Sequence, residues 1–146
     1  MRLSTAGRYA LRAMVDLASH AGEGPVLRQE IAERQEISGH YLAHLFLKLK
    51  DAGLVESILG PGGGYVLAQG AAQISAGDVL RAVGEPLDPV ECVEDGKGTA
   101  CRRMEDCSAH LLWSRLGRAM TQVLDSVSLA ELCQTIQPTN AKRKGM

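Results

Sequence analysis

Aromatic side chains are almost missing: one Trp, three Tyr and one Phe among 146 residues, so aliphatic side chains must fill any core. No stretch approaches the roughly eighteen consecutive apolar residues of a membrane-spanning helix. The opening segment MRLSTAGRYALRAMVDL carries arginines and an aspartate where a secretory apolar region would run uninterrupted, which leads us to expect a cytoplasmic protein with no membrane partner. An excess of one charge is also lacking, with 16 Lys and Arg against 17 Asp and Glu and a net charge of -1. A phosphate-binding protein usually has a basic excess. A nucleic-acid surface would therefore have to concentrate its basic side chains on one face, and a symmetric pair of subunits would double the phosphate contacts. The length suits one domain with an appendage and is too short for a large enzyme.

What is present falls into helices, then a hairpin, then more helices. Ser4 or Thr5 caps a first helix whose Ala10, Ala13, Met14, Leu17 and Ala18 recur at three- and four-residue spacing. Gly22, Gly24 and Pro25 end it. A shorter helix runs from about Leu27 to Gln35 with Ile31 and Ala32 inward. Ser38 caps a third helix whose Leu42, Leu45, Phe46 and Leu49 share a face, and Gly53 stops it. Val55, Ser57 and Leu59, then Gly60-Pro61-Gly62-Gly63-Gly64, then Tyr65, Val66 and Leu67 read as two short strands around a glycine-rich turn. Three helices and a hairpin spell a mainly α winged helix-turn-helix with a two-stranded wing.

Beyond it, Ser75 starts a short helix to about Val83. After an irregular stretch, a long helix from about Ala109 to Val127 carries Leu112, Leu116, Met120, Val123 and Val127, with Trp113 and Leu124 widening the apolar surface. That surface exceeds what one small chain readily covers, so a homodimer is expected. Ser128 and Glu131 form a capping box for a last helix. The expected organisation is a winged-helix domain over 1–70, a connecting helix and linker over 71–90, a cysteine-bearing loop over 91–110, dimerisation helices over 109–137 and a disordered tail over 138–146.

Helices two and three are joined by Glu36, Ile37 and Ser38, a connection short enough for the third helix to enter a major groove. Ser38, His40, Tyr41, His44 and Lys48 lie on or near its outward side and can bond base edges or phosphates. The spacing fits a helical hairpin with an ordinary polar face equally well. The glycines of the hairpin favour the DNA reading, because a backbone without side chains can press on a phosphate or enter a minor groove. A nucleotide-binding glycine loop would need a helix after it, whereas a strand follows here. Arg2, Arg8 and Arg12, on or beside the first helix, are candidates for the flanking DNA backbone, or are plain surface charges.

Three of the four cysteines, Cys92, Cys101 and Cys107, fall within sixteen residues, and His110 follows one helical turn later. In a reducing compartment such a cluster points to a metal or a redox sensor. Three thiolates and an imidazole suit a 2Fe-2S cluster or zinc, and the spacing does not choose between them. Zinc or a disulfide-based redox switch at the same cysteines is the alternative. No pair of the three has thioredoxin-type spacing, so a thiol-exchange enzyme is not expected. Cys133, on the apolar side of the last helix, reads as a buried small hydrophobe.

The blocks MRLSTAGRYALRAMVDLA, ISGHYLAHLFLKL, GLVESILGPGGGYVLA, ISAGDVLRAV and SLAELC together resemble the IscR-like iron-sulfur cluster regulators of the Rrf-two family of winged-helix transcription factors. The resemblance spans almost the whole chain. It implies a DNA-binding regulator, not an enzyme, in which Cys92, Cys101, Cys107 and His110 hold a 2Fe-2S cluster loaded by the Fe-S assembly machinery and reporting Fe-S status, oxidants or nitric oxide. It also implies that Tyr41, the third helix and the wing from Gly60 through Pro61, Gly62 and Gly63 to Gly64, with Tyr65 after it, meet double-stranded DNA as a symmetric dimer. Two departures stand out: eight residues separate Cys92 from Cys101 where the subgroup typically has five, and Ala43 and Leu59 replace a glutamate and an arginine common in relatives.

Overall fold

Ser4 opens the first helix, α1 (Thr5–Ser19), because its hydroxyl accepts the otherwise orphaned Gly7 N–H at 3.1 Å. The computed structural model describes residues 2–90, 93 and 107–135. α1 buries Ala10, Ala13, Met14 and Leu17, the residues at helical spacing. α2 (Arg28–Gln35) follows, with Leu27 as its N-cap rather than its first residue. It ends at Glu36, which adopts the left-handed conformation at φ 55° and turns the chain sharply. Ile37 drops into the core, and Ser38 caps α3 (Gly39–Asp51) by accepting from Tyr41 N–H at 3.1 Å. Leu42, Leu45, Phe46 and Leu49 are buried, as their spacing requires.

Strands β1 (Val55–Ile58) and β2 (Gly64–Leu67) pair antiparallel, with Val55 opposite Leu67 and Ile58 opposite Gly64. The far edge of β2 is not open. Val26, in the connection between α1 and α2, exchanges both backbone hydrogen bonds with Tyr65, at 2.8 and 2.9 Å. Sequence alone gave no sign of this third rung.

α4 (Ala76–Ala82) begins with a reciprocal capping box between Ser75 and Asp78. The 19-residue α5 (Ser108–Ser126) would extend about 28 Å at standard helical rise. A final helix, α6, spans 129–135 within the described residues. Its start is tied back to the entry of α4: Ala76 N–H donates to the Val127 carbonyl at 2.8 Å and Leu129 N–H to the Ile74 carbonyl at 2.9 Å. Arg81 of α4 also grips Asp125 near the end of α5. The bonds to Asp125 hold the Arg81 guanidinium above its ordinary pKa.

One core cluster joins α1, α2, α3, β1, α4 and Leu129 of α6. α5 buries only Gly117 and leaves Leu111, Leu112 and Val123 at 63, 57 and 61% exposure. Among the described residues no helix is long and apolar enough to cross a membrane.

Candidate nucleic-acid interface

α2 and α3 are fixed to α1 by a polar clamp. Asp16 is buried on α1 and takes a two-pronged contact from Arg34, with Nε to Oδ2 at 2.9 Å and Nη2 to Oδ1 at 2.7 Å. Gln35 Nε2 adds a bond to Oδ2 at 2.9 Å. Hydrogen bonding to Asp16 holds the Arg34 guanidinium above its ordinary pKa. Arg12 donates to the side chain and the carbonyl of Gln35, and its guanidinium lies 5.3 Å from the centre of the Tyr9 ring. Tyr9 in turn meets Tyr41 of α3 edge to face, with centroids 6.0 Å apart. Arg12 is thus engaged within the fold. The last two residues of α2 and the first turn of α3 are both positioned from α1.

This clamp leaves His40, His44 and Lys48 exposed along one side of α3. Ser38 is exposed with its oxygen accepting the cap bond, and Tyr41 is half-buried against Tyr9. Arg2 and Arg8 are exposed at the start of α1, Arg8 within 3.4 Å of Thr5 Oγ1.

The wing is pinned to the same helix. Tyr65 stacks on Phe46 with centroids 4.4 Å apart and planes 25° apart, and Lys50 Nζ donates to Ser57 Oγ at 2.9 Å. Tyr65 therefore serves the wing's attachment as well as lying beside the candidate surface. At the tip, Gly63 N–H donates to the Gly60 carbonyl at 3.0 Å, with Pro61 and Gly62 in the central positions and Gly62 at φ 75°. That is the pattern of a type II turn. A Cβ at Gly63 would overlap the Ile58 carbonyl, and one at Gly64 the Val26 carbonyl. The glycines are demanded by the wing's own backbone, a role the sequence reading did not separate from DNA contact.

Of the four proposed cluster ligands, Cys92 and Cys101 lie outside the described residues, as do most of loop 91–110 and the expected tail 138–146. Cys107 is an exposed free thiol at the N-cap of α5, and its side chain makes no capping bond. His110 stands one turn on, its N–H donating to the Cys107 carbonyl at 3.2 Å and its Nε2 lying 3.4 Å from Ser114 Oγ. Cys133 is half-buried rather than buried. Its thiol donates to the Val15 carbonyl at 3.7 Å and accepts from Ser19 Oγ at 3.4 Å.

The sequence pattern of the Rrf2 family, described as iron-dependent transcriptional regulators, matches residues 3–135. The HTH-type transcriptional regulator IscR of Erwinia tasmaniensis is 46% identical over 132 residues, covering 90% of this chain and 78% of that protein. Among solved structures, CymR, the global cysteine regulator of B. subtilis, superposes with a TM-score of 0.75 at 41% identity, over 92% of this chain and 98% of that one. T. potens IscR superposes with a TM-score of 0.75 at 34% identity, over 95% and 90%.

Proposed function

Since the chain belongs to the Rrf2 family of transcriptional regulators, we propose that it acts as a homodimer that reads duplex DNA under the control of a 2Fe-2S cluster held by Cys92, Cys101, Cys107 and His110. The observation that carries the DNA half is the shared anchoring of α3 and the wing through Phe46 and Tyr65, which sets a reading helix and a thin hairpin at a fixed separation. In this reading Ser38, His40, Tyr41, His44 and Lys48 reach base edges and phosphates in the major groove, the tip from Gly60 to Gly64 follows the neighbouring minor groove, and Arg2 and Arg8 neutralise flanking phosphates.

Three thiolates and an imidazole are a donor set suited to a 2Fe-2S cluster. The described half fits that use, because the Cys107 thiol is exposed and uncommitted to capping, one turn from His110. When bound, the cluster supplies a centre sensitive to oxidants, nitric oxide and Fe-S supply, and the Fe-S assembly machinery is the partner that loads it. On the protein side, Cys107 is the N-cap residue of α5, so a ligand held at Cys107 is linked to order in the first turn of that helix. Leu111, Leu112 and Val123 then supply the apolar contact between subunits, which sets the distance between the two reading heads. The cytoplasm, where thiols stay reduced, is the matching compartment.

The test is anaerobic purification followed by iron, sulfide and zinc analysis. The expected outcome is coloured protein with matched iron and sulfide, colour lost in Cys92→Ala, and DNA affinity that differs between loaded and empty forms. Colourless protein with stoichiometric zinc would overturn the cluster assignment while leaving the DNA assignment standing.

A further inference from the structure

The wing has no cation with which to hold DNA, and its one charged residue is Glu56 in β1. From Ser57 to Gly77 the sequence contains no Lys, Arg, Asp or Glu. Its glycines are committed to the turn, so the side chains presented outward at the tip are those of Leu59, Ile58 and Pro61, with Leu59 90% exposed and Ile58 44%. The strands carrying the tip are anchored: β2 is paired along its length by β1 and at Tyr65 by Val26, and Tyr65 is stacked on α3. An aliphatic side chain held in water at the end of an anchored hairpin gains free energy only when a partner covers it, and the anchoring lowers the ordering cost that opposes binding.

We propose that Leu59 is a specificity-determining contact. The wing enters the minor groove and seats Leu59 against the sugar walls and base edges, adding affinity without releasing counterions. The inference rests on the DNA-binding reading above. The minor groove is about 6 Å wide, admitting a thin tip but not a helix, and its floor differs mainly by the guanine amino group that projects from G·C pairs. A side chain with no hydrogen-bonding atom leaves that amino group unsatisfied and clashes with it, so Leu59 favours A·T pairs beneath the wing.

The experiment selects duplexes from a random-sequence pool with the full chain, then titrates the selected duplex at several salt concentrations. For Leu59→Ser, affinity should fall roughly tenfold at every salt concentration. The slope of log affinity against log salt should stay as in the original chain, and the A·T preference beneath the wing should vanish. Leu59→Lys should steepen that slope by about 0.9 per protomer. The high exposure of Leu59 means that both variants should keep the original thermal midpoint, separating contact from stability. If Leu59→Ser matches the original chain in affinity and in A·T preference, Leu59 does not touch DNA and the inference is overturned. If the original chain selects no duplex at low salt, the DNA-binding reading itself fails and takes this inference with it.

Discussion

At Gly64 the chain passes so close to the Val26 carbonyl that a single methyl group cannot be placed, and φ stands at 150°. Gly64→Ala should therefore cost more than about 1 kcal/mol, read as a lower urea midpoint with an unchanged denaturant slope. A loss of DNA binding without loss of stability would instead mean that the glycine contacts DNA directly. Asp16 is the other residue on which much depends. Asp16→Ala removes the acceptor for Arg34 and Gln35 and should cost about 1–3 kcal/mol, checked by the same unfolding curves. Sequence reasoning found the glycines but not their reason, and it gave Asp16 no structural role. Periodicity marks Ala13, Met14 and Leu17 as inward and is silent about a carboxylate between them whose partners arrive eighteen and nineteen residues later. The available signal was a pair of long polar side chains, Arg34 and Gln35, at the end of an otherwise short helix.

At the scale of elements the helices were legible from their apolar stripes, and α1, α3 and α4 also from a capping residue: Ser4, Ser38 and Ser75 all accept the expected backbone bond. The edge of β2 was not legible, since a one-residue bridge at Val26 has no period to detect. The capping box of α4 makes a titratable prediction. Asp78 is held below the usual carboxylate range, chiefly by the Ser75 N–H, helped by the Ser75 hydroxyl and by Arg81. Because the folded value is the lower one, the contribution is complete above the ordinary aspartate pKa and disappears as pH falls through the folded value. Asp78→Asn should flatten that part of the acid limb in pH-dependent unfolding and leave the protein's neutral-pH spectrum unchanged. An acid limb identical to that of the original chain would show that the box does not contribute.

For the whole molecule, the sequence announced a helix too apolar for its own chain, and α5 leaves Leu111, Leu112 and Val123 exposed. Placing a charge there, as in Leu112→Glu, should shift the sedimenting species from dimer to monomer and weaken DNA binding by at least the loss of one half-site. A variant that remains dimeric would move the subunit contact elsewhere. The folded core was readable because it is built from regular spacing, whereas the polar ties between distant segments were not, because no local pattern encodes them. One such tie links residues 81 apart in sequence: the buried Glu85 carboxylate accepts from both the N–H and the hydroxyl of Ser4, at 3.0 Å for the N–H, and fits only because Gly7 has no side chain. The entry to α1 is thus locked by a group lying just ahead of the cysteine-bearing segment. In deuterated buffer the Ser4 amide should exchange as slowly as the centre of α1, and Glu85→Ala should release it.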